Sequence, residues 1–402
     1  MNIIEKFEKL GVDNAPGQEG RQNTGKIDIR GEEIPGTPVD FSHGDVDAFI
    51  PIPGTLDSFV EGVNVGAKQA YTEHRGKKSI REDLAAKISS FTGAKIDSDQ
   101  EIILTPGSQG ALFLAMGANI MHGDKVAFVE PDYFANRKLV EFFDGEMVPI
   151  QMEYTKYTDR AGLDLAALEE SFMSGVKLFV FSNPNNPTGV IYSHDEICAI
   201  AELGKKYEVT VIADELYSRQ IFDGHTYTHL CSQNVLPDNL ITIMGPSKTE
   251  SLSGYRLGVA FGTSAIIGRM EKLQAIMALR CSGYNQAVFK NWFNEPDDWM
   301  KERIAQHQAI RDDILAKLRA VNGVEARTSE GGSYLFIKLP EMEISMYDFI
   351  KVLRVQASVT ITPGTEFGPQ FVDWFRINFS QDHKAAVDAI ERIIKVMEWY
   401  RK

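Results

Sequence analysis

Cysteine is scarce in this sequence, and the three present, Cys198, Cys231 and Cys281, form no C-x-x-C pair. A fold held together by disulfides and a zinc knuckle are therefore both excluded. Residues 1–7 also lack the basic start followed by an apolar stretch that is typical of a signal peptide. We therefore expect the protein to work in a reducing compartment, the cytoplasm.

Basic residues and long apolar runs are also few. The 402 residues include 42 Lys and Arg against 56 Asp and Glu, which gives a formal net charge of −14 at pH 7. A surface this negative repels nucleic-acid phosphates and anionic lipids, so we expect no nucleic-acid partner and no membrane partner. No apolar run approaches the roughly 18 residues that a membrane helix needs. The hydrophobic fraction of 43% and the charged fraction of 24% are ordinary for globular proteins.

Familiar metal and nucleotide motifs are missing as well. The eight histidines are scattered, no H-E-x-x-H occurs, and no G-x-G-x-x-G follows a strand. Residues 20–26, GRQNTGK, nearly match a phosphate-binding loop, but Ile27 stands where a Ser or Thr would hold magnesium. We therefore predict neither a metal site nor a nucleotide loop there.

From residue 101 onward, short β-rich runs alternate with helical stretches. The pattern predicts strands at 101–104, 125–129, 148–152, 177–181, 209–213, 240–244 and 257–261. It predicts helices at 66–93, 111–121, 134–143, 165–172, 195–206 and 264–280. Such alternation is typical of α/β proteins, so we expect a mostly parallel sheet sandwiched by helices.

The two ends of the chain have a different texture. The last hundred residues predict a smaller α+β domain, with helices at 296–319, 346–353 and 383–401 and strands at 333–338, 359–362 and 374–378. The first 53 residues are polar and rich in Gly and Pro, so they predict an arm and loops with little regular structure. We thus expect an arm and loops over 1–60, part of which joins the small domain. A large domain would span 61–290 and the small domain 291–402.

Four unusual segments each follow a predicted strand. They are 105–112 (TPGSQGAL), 182–189 (SNPNNPTG), 211–217 (VIADELY) and 245–258 (GPSKTESLSGYRLG). Taken singly, each also fits an ordinary turn or helix cap. Ligands of open α/β sheets bind beyond the carboxyl ends of the strands, so we expect the four segments to meet in one site.

Each segment offers a different chemistry. Gly107 allows a tight turn into a helix whose first N–H groups can bind an anion. Two Asn-Pro steps make the second loop rigid enough to hold an amide side chain in one direction. Asp214 ends an apolar strand and needs a cationic or hydrogen-bonding partner. Lys248 and Arg256 lie in a loop of small residues. Together these groups meet the needs of pyridoxal 5′-phosphate: an amine, a carboxylate, an amide with a phenol, and a phosphate site.

The same segments resemble the signature stretches of the class I/II aminotransferases, a family of fold type I pyridoxal-phosphate enzymes. N-P-N-N-P-T-G, D-E-x-Y and S-K-T…G-x-R-x-G occur in family order, and the resemblance covers roughly residues 60–402. It implies the aspartate-aminotransferase-like fold, bound pyridoxal 5′-phosphate, and a homodimer with active sites at the subunit interface.

The resemblance also implies roles for the catalytic residues. Lys248 would be the Schiff-base lysine and the proton shuttle, and Asp214 would pair with the ring nitrogen. Tyr217 and Asn186 would bind the phenolic oxygen, which favours the unprotonated Schiff base. Tyr133 would stack on the ring face.

Phosphate and substrate contacts are implied in the same way. The implied phosphate ligands are Gly107, Ser108, Gln109, Ser247 and Arg256. Tyr71 would reach the phosphate from the other subunit, and Arg376, with Asn186, would bind the substrate α-carboxylate. Gly245 departs from the family pattern, which often has a hydroxyl residue three positions before the lysine.

The activity that the resemblance implies is amino transfer from an L-amino acid to a 2-oxo acid by a ping-pong mechanism. A lyase or decarboxylase on the same fold is an alternative, because fold does not fix which bond at Cα breaks. A cofactor-sensing regulator is a further alternative, but such proteins carry a basic DNA-binding domain and this chain is acidic. The sequence leaves open which amino acid is used and whether His43 or Arg280 contacts it.

Overall fold

The computed structural model describes residues 2–12 and 29–402, so the phosphate-loop-like residues 20–26 lie outside the described residues. The helices are α1 (Ile3–Leu10), α2 (Thr55–Asn64), α3 (Ala67–Ala70), α4 (Lys78–Thr92), α5 (Gly107–Gly117), α6 (Phe134–Phe142), α7 (Leu165–Met173), α8 (His194–Lys206), α9 (Ser264–Met277), α10 (Trp299–Arg319), α11 (Met346–Ala357) and α12 (His383–Tyr400). The strands are β1 (Val39–Asp40), β2 (Ile102–Pro106), β3 (Lys125–Glu130), β4 (Glu146–Gln151), β5 (Leu178–Ser182), β6 (Thr210–Asp214), β7 (Leu240–Met244), β8 (Leu257–Gly262), β9 (Glu325–Ala326), β10 (Tyr334–Lys338), β11 (Val359–Thr360), β12 (Thr362–Pro363) and β13 (Trp374–Asn378).

A seven-stranded sheet with the order β2-β8-β7-β6-β5-β3-β4 forms the centre of the larger part. All its pairings are parallel except those of β8, which runs antiparallel to β2 and β7. On β3, Val126 and Phe128 pack against α5, α6 and α9, while Ala127 and Val129 pack against α7 and α8. Because both faces are covered, β5 and β7 are buried along their whole length, and they are apolar except at Ser182 and Thr242. The predicted α/β fold is confirmed.

A smaller antiparallel sheet, β12-β13-β10-β9, packs against α10, α11 and α12. Arg376 on β13 stands opposite Phe336 on β10 and Thr362 on β12, so it lies in the middle of this sheet. The short strand β1 pairs in parallel with β11. Residues near the start of the described chain therefore join an element that lies more than 300 residues later.

The expectation of little regular structure before residue 53 was wrong at two places. Residues of α1 form a helix because the side chain of Asn2 accepts from the N–H of Glu5, whose own carboxylate accepts from the N–H of Asn2. Gly11 ends that helix in the left-handed conformation. The strand β1 depends on β11, a partner that local pattern cannot reveal.

Some predicted boundaries also moved. The stretch 66–93 forms two helices, α3 and α4, and 359–362 forms two short strands, β11 and β12. Helix α5 begins at Gly107, four residues before the predicted start, because its first turn is small and polar and carries no apolar periodicity. The described residues 2–12 and 29–402 include no helix that is both long and apolar enough to cross a bilayer.

Candidate active site

The carboxyl ends of β5, β6 and β7 open into a cavity of about 380 Å³. Most residues predicted from the sequence line it, namely Ser108, Gln109, Tyr133, Asn186, Asp214, Tyr217, Ser247, Lys248, Arg256 and Arg376. Strand register brings them together, because Ser182 stands opposite Asp214 and Asp214 stands opposite Ile243. The loops after these strands therefore leave the sheet at one level.

The start of α5 forms a cradle with the loop after β7. Gly107 has a left-handed φ of 77°, and a Cβ there would collide with the guanidinium of Arg256. Gly258 packs so closely on Gly107 that it too leaves no room for a side chain. The hydroxyl of Ser108 is buried and has no hydrogen-bond partner among the described residues. Free helix N–H groups, a buried hydroxyl and a guanidinium together suit an anion of phosphate size.

Gly245 explains one departure from the family pattern. A Cβ at Gly245 would lie 2.7 Å from the Oγ of Ser108. A larger residue at position 245 would therefore displace the Ser108 hydroxyl from the cradle. The hydroxyl of Ser247 lies in the same loop and donates to the carbonyl oxygen of Leu257 at 3.4 Å.

Asp214 ends β6 as a buried carboxyl group. Burial raises its pKa from 3.8 to about 7, although a hydrogen bond from the N–H of Leu216 at 3.2 Å acts in the opposite direction. The neighbouring charge of Glu215 raises the pKa further. A cationic ring nitrogen against this carboxyl would offset the burial and keep it ionised.

Asp132 is a buried carboxyl that the sequence analysis did not select. Its Oδ2 accepts from the N–H of Ser182 at 2.9 Å, and its Oδ1 accepts from the N–H of Tyr133 at 2.5 Å. Ser182 in turn accepts from the N–H of Asn186 at 3.1 Å. Asp132 thus holds two loops of the cavity in place. Its position directly before Tyr133 was the signal available in the sequence.

Tyr217 meets a second tyrosine from the smaller sheet. Its hydroxyl donates to the hydroxyl of Tyr334 at 2.7 Å, and the two rings make an edge contact with centroids 5.4 Å apart. Burial raises the pKa of Tyr217 well above its usual value. Tyr334 begins β10 and lines the cavity, so the phenol pair joins the two sheets.

Arg376 is 2% exposed and forms no ion pair with a carboxylate among the described residues. Its Nη1 donates to Asn186 Oδ1 at 3.0 Å and its Nη2 donates to the carbonyl oxygen of Ser42 at 2.9 Å. The guanidinium lies over the rings of Tyr334 and Phe367, at 4.4 and 4.9 Å. A buried cation with neutral partners alone is costly, so this arrangement suits an incoming carboxylate.

Lys248 follows β7 and lines both this cavity and a second cavity beside it. Within the described residues its amine has no hydrogen bond and no ion pair. Across the cavity, the hydroxyl of Tyr133 donates to Gln109 Oε1 at 2.9 Å, and burial raises the Tyr133 pKa. The tyrosine ring is therefore held by its hydroxyl and by an edge contact with Phe134 at 4.7 Å.

Two predicted residues do not line the cavity of this protomer. Gly107 lies beneath it and contributes backbone only. Tyr71 is 77% exposed on the outer surface, where the Arg280 guanidinium lies 5.4 Å from its ring centroid. The chain by itself does not bring Tyr71 to the phosphate cradle.

Several further residues line the cavity beyond the site residues that were selected from the sequence. They are Ser42, His43, Leu112, Phe134, Ser182, Pro184, Leu216 and Tyr334. Ser42 and His43 come from the segment that was expected to be an arm, and Tyr334 comes from the small sheet. Leu112, Ser182, Pro184 and Leu216 belong to the segments that were expected to meet here, and the sequence had left open whether His43 contacts the substrate. No local pattern places Ser42, Phe134 or Tyr334 at this cavity, so only packing could have found them.

Comparison with known proteins agrees with this geometry. The sequence model of the family "aminotransferase class I and II" matches residues 61–393. The chain belongs to this family. An aspartate aminotransferase of Sulfolobus acidocaldarius is 29% identical over 344 residues, which are 82% of each chain. The structure of an aspartate aminotransferase from Rhodobacter sphaeroides 2.4.1 is 56% identical, covers 100% of both chains and superposes with a TM-score of 0.94.

A more distant structure shows the fold alone. An aromatic aminotransferase from Pyrococcus horikoshii OT3 is 22% identical, with a TM-score of 0.82 over 90% of this chain and 96% of that chain. The family match, together with the aspartate aminotransferases of Sulfolobus acidocaldarius and Rhodobacter sphaeroides, shows that the protein is a pyridoxal-phosphate-dependent aminotransferase. The free Ser108 hydroxyl, the glycine cradle and the buried carboxyl of Asp214 fit that cofactor.

Proposed function

We propose that this aminotransferase moves the amino group of aspartate to a 2-oxo acid, with Lys248 as the catalytic residue. One observation carries the proposal: a free amine, a buried carboxyl and a phosphate-sized cradle line a single cavity. Aspartate as the amino donor is supported by the aspartate aminotransferases that the chain resembles.

When bound, pyridoxal 5′-phosphate supplies an aldehyde that takes up amino groups and a ring that withdraws electrons from the substrate Cα. The residues that would hold the phosphate are Gly107, Ser108, Gln109, Ser247 and Arg256, with Tyr71 from the partner subunit. Asn186 and Tyr217 would bind the phenolic oxygen, and Tyr133 would cover one face of the ring. Their distribution around the cavity supports one orientation of the cofactor.

Lys248 would have two tasks in this site. Its amine would attach the cofactor between turnovers, and once released it would carry a proton away from the substrate Cα and return one to the product. An amine without hydrogen bonds to the described residues is free to turn between these two positions. Ping-pong kinetics should follow, because the first product leaves before the second substrate enters.

Asp214 and Arg376 would divide the electrostatic work. The carboxylate of Asp214 would keep the ring nitrogen protonated, and that positive charge would stabilise the negative charge that develops at Cα. The Arg376 fork would bind the substrate α-carboxylate through two parallel hydrogen bonds. Asn186 already accepts from Arg376, so this amide would align the guanidinium as well as the cofactor.

We also infer a homodimer with shared active sites. Apolar side chains are exposed on α2, at the end of α9 and between them, namely Leu56, Val60, Val63, Val65, Tyr71, Ile276, Met277 and Leu279. The residues around Tyr71 and those after α9 are neighbours, since His74 Nδ1 lies 2.7 Å from the carbonyl oxygen of Leu279. An apolar surface of this kind is typical of a subunit interface, and it would place Tyr71 at the partner subunit's cavity.

The test of this function is the first half-reaction taken alone. Holoenzyme mixed with aspartate and no acceptor should form one oxaloacetate per active site and then stop, with loss of the yellow colour. Addition of 2-oxoglutarate should restore the colour and form glutamate. Initial rates should give parallel lines in double-reciprocal plots.

Two variants complete the experiment. Lys248→Ala should lose amino transfer, whereas Lys177→Ala, at the exposed amino end of β5, should keep it. Release of ammonia or carbon dioxide in place of oxaloacetate would overturn the proposal in favour of a lyase or decarboxylase. Intersecting lines in the rate plots would also contradict it.

A further inference from the structure

The cavity holds one basic side chain that the proposed chemistry does not use. Of the described residues that line it, four are basic: His43, Lys248, Arg256 and Arg376. Lys248 serves the cofactor aldehyde, Arg256 its phosphate and Arg376 the substrate α-carboxylate. His43 has no such task, yet aspartate and its oxo acid each carry a second carboxylate that needs a partner.

The loop that carries His43 is fixed beside the α-carboxylate position. The carbonyl oxygen of Ser42 accepts from Arg376 Nη2 at 2.9 Å. The carbonyl oxygen of His43 accepts from Gln381 Nε2 at 2.6 Å, and that of Phe41 accepts from the N–H of Asn378 at 2.8 Å. His43 is therefore one residue away from the group that would hold one end of the substrate.

The surroundings of the imidazole favour a positive charge. Asp40 Oδ2 lies 3.4 Å from Nε2, at the long end of hydrogen-bond range, and the carbonyl oxygen of Gly44 lies 3.1 Å from Nδ1. The contact with Asp40 raises the pKa of His43, although partial burial and the charge of Lys248 act against it. The long contact to Asp40 leaves the Nε2–H only weakly engaged.

Other charged groups near the loop are acidic. Asp45 and Asp47 follow His43 in the chain, and Asp382 caps the amino end of α12; all three line the second cavity. With Asp40 and Lys248, they are the charged groups that share this second cavity with His43.

We propose that His43 binds the second carboxylate of a dicarboxylic substrate whose α-carboxylate is bound by Arg376. This inference rests on the proposed function and adds the group that selects aspartate over amino acids with an uncharged side chain. No covalent step is involved, since His43 contributes a charge and a hydrogen-bond donor.

The first test compares two substrates in the holoenzyme. The measured quantity is the ratio of kcat/KM for aspartate to kcat/KM for alanine. His43→Gln should lower this ratio about fivefold, the upper range for an ion pair open to solvent. His43→Lys, which keeps a positive charge, should recover part of the ratio. His122→Gln, the same change at an exposed position outside the cavity, should not alter it.

The second test measures binding without turnover. Maleate, an unreactive dicarboxylate, is titrated into holoenzyme by calorimetry between pH 6 and pH 8.5. Because binding needs the imidazolium, the affinity of the unmodified protein should fall as the pH rises through the raised pKa of His43. In His43→Gln this part of the pH dependence should vanish, a result that a purely structural role would not give.

Three outcomes would overturn the inference. The aspartate-to-alanine ratio of His43→Gln could stay within about twofold of the original. Arg280→Gln could remove the preference for aspartate over alanine while His43→Gln does not, which would place the second carboxylate site across the subunit interface. The unmodified protein could also use alanine as well as aspartate. None of these results affects amino transfer through Lys248, whereas failure of the oxaloacetate half-reaction would refute the proposed function itself.

Discussion

At the scale of single residues, the charge state of Asp214 depends on whether a cation lies against its carboxyl group. In the folded protein without a cation, burial raises the pKa of this carboxyl from 3.8 to about 7. Between these two values the unfolded chain releases the proton while the folded protein keeps it. The folded state therefore loses stability as the pH rises across this range. Asp132 contributes in the same direction, since burial also raises its pKa to about 7.

We predict that the melting temperature of the cofactor-free protein falls from pH 5 to pH 8. Asp214→Asn should make this fall smaller, because an amide has no proton to lose. Bound cofactor should do the same, because a protonated ring nitrogen stabilises the carboxylate of Asp214. Differential scanning calorimetry at several pH values measures the effect.

The control is Asp297→Asn, which changes an exposed carboxyl and should leave the pH dependence as it is. If the melting temperature of Asp214→Asn falls with pH as much as that of the unmodified protein, Asp214 is ionised at all these pH values. Any change that bound cofactor makes in the pH dependence of the melting temperature would then need another origin.

At the scale of elements, the turn from β2 into α5 builds the proposed phosphate cradle out of backbone. Gly107 combines a left-handed φ of 77° with a close approach of Arg256, so two separate constraints exclude a side chain there. A backbone strain of this type costs roughly 1–2 kcal/mol for a residue with a Cβ. The collision with the guanidinium adds to that cost and displaces the residue that would bind the phosphate.

We predict that Gly107→Ala weakens cofactor binding at least tenfold and lowers the free energy of unfolding by about 2 kcal/mol or more. Gly123→Ala is the matched control, because Gly123 has a φ of 81° but no atom within 4 Å of its Cβ position. The control should lower stability by about 1 kcal/mol and leave cofactor affinity unchanged. Urea unfolding measures the free energy of unfolding, and cofactor titration measures the affinity. Equal cofactor affinities in the two variants would contradict the role of Gly107 in the cradle.

At the scale of the whole molecule, the exposed apolar surface on α2 and near Tyr71 predicts dimer formation. Val60→Asp places a charge in that surface and should shift sedimentation from dimer to monomer, with loss of activity because Tyr71 would no longer reach the partner subunit's cradle. Met173→Asp changes a side chain on α7 that is even more exposed, 68% against 47% for Val60, and should leave the dimer intact. A monomeric unmodified protein with full activity would contradict this prediction.

The elements of the large sheet were predictable because their patterns are local. Runs such as Leu240–Met244 are apolar except for one threonine, and polar segments with Gly and Pro separate them. Helix α2 and strand β1 were missed for a different reason. Leu56, Val60 and Val63 of α2 stay exposed in the protomer, and β1 exists only through its pairing with β11. The division of the chain at residues 60 and 290 stays a prediction.

The sequence alone determined the succession of helices and strands along the chain in the large sheet's region. It also determined which reactive groups follow those strands. Lys248, Asp214 and Asn186 could be selected because each stands in a short segment whose chemistry is visible without knowledge of the fold. Tertiary structure alone decided what faces them. His43 and Tyr334 reach the cavity through β1 and β10, elements that are far from the large sheet in sequence. The physical reason is that burial of apolar side chains between the two sheets brings these elements to the cavity. Such burial is non-directional and carries no local sequence signal.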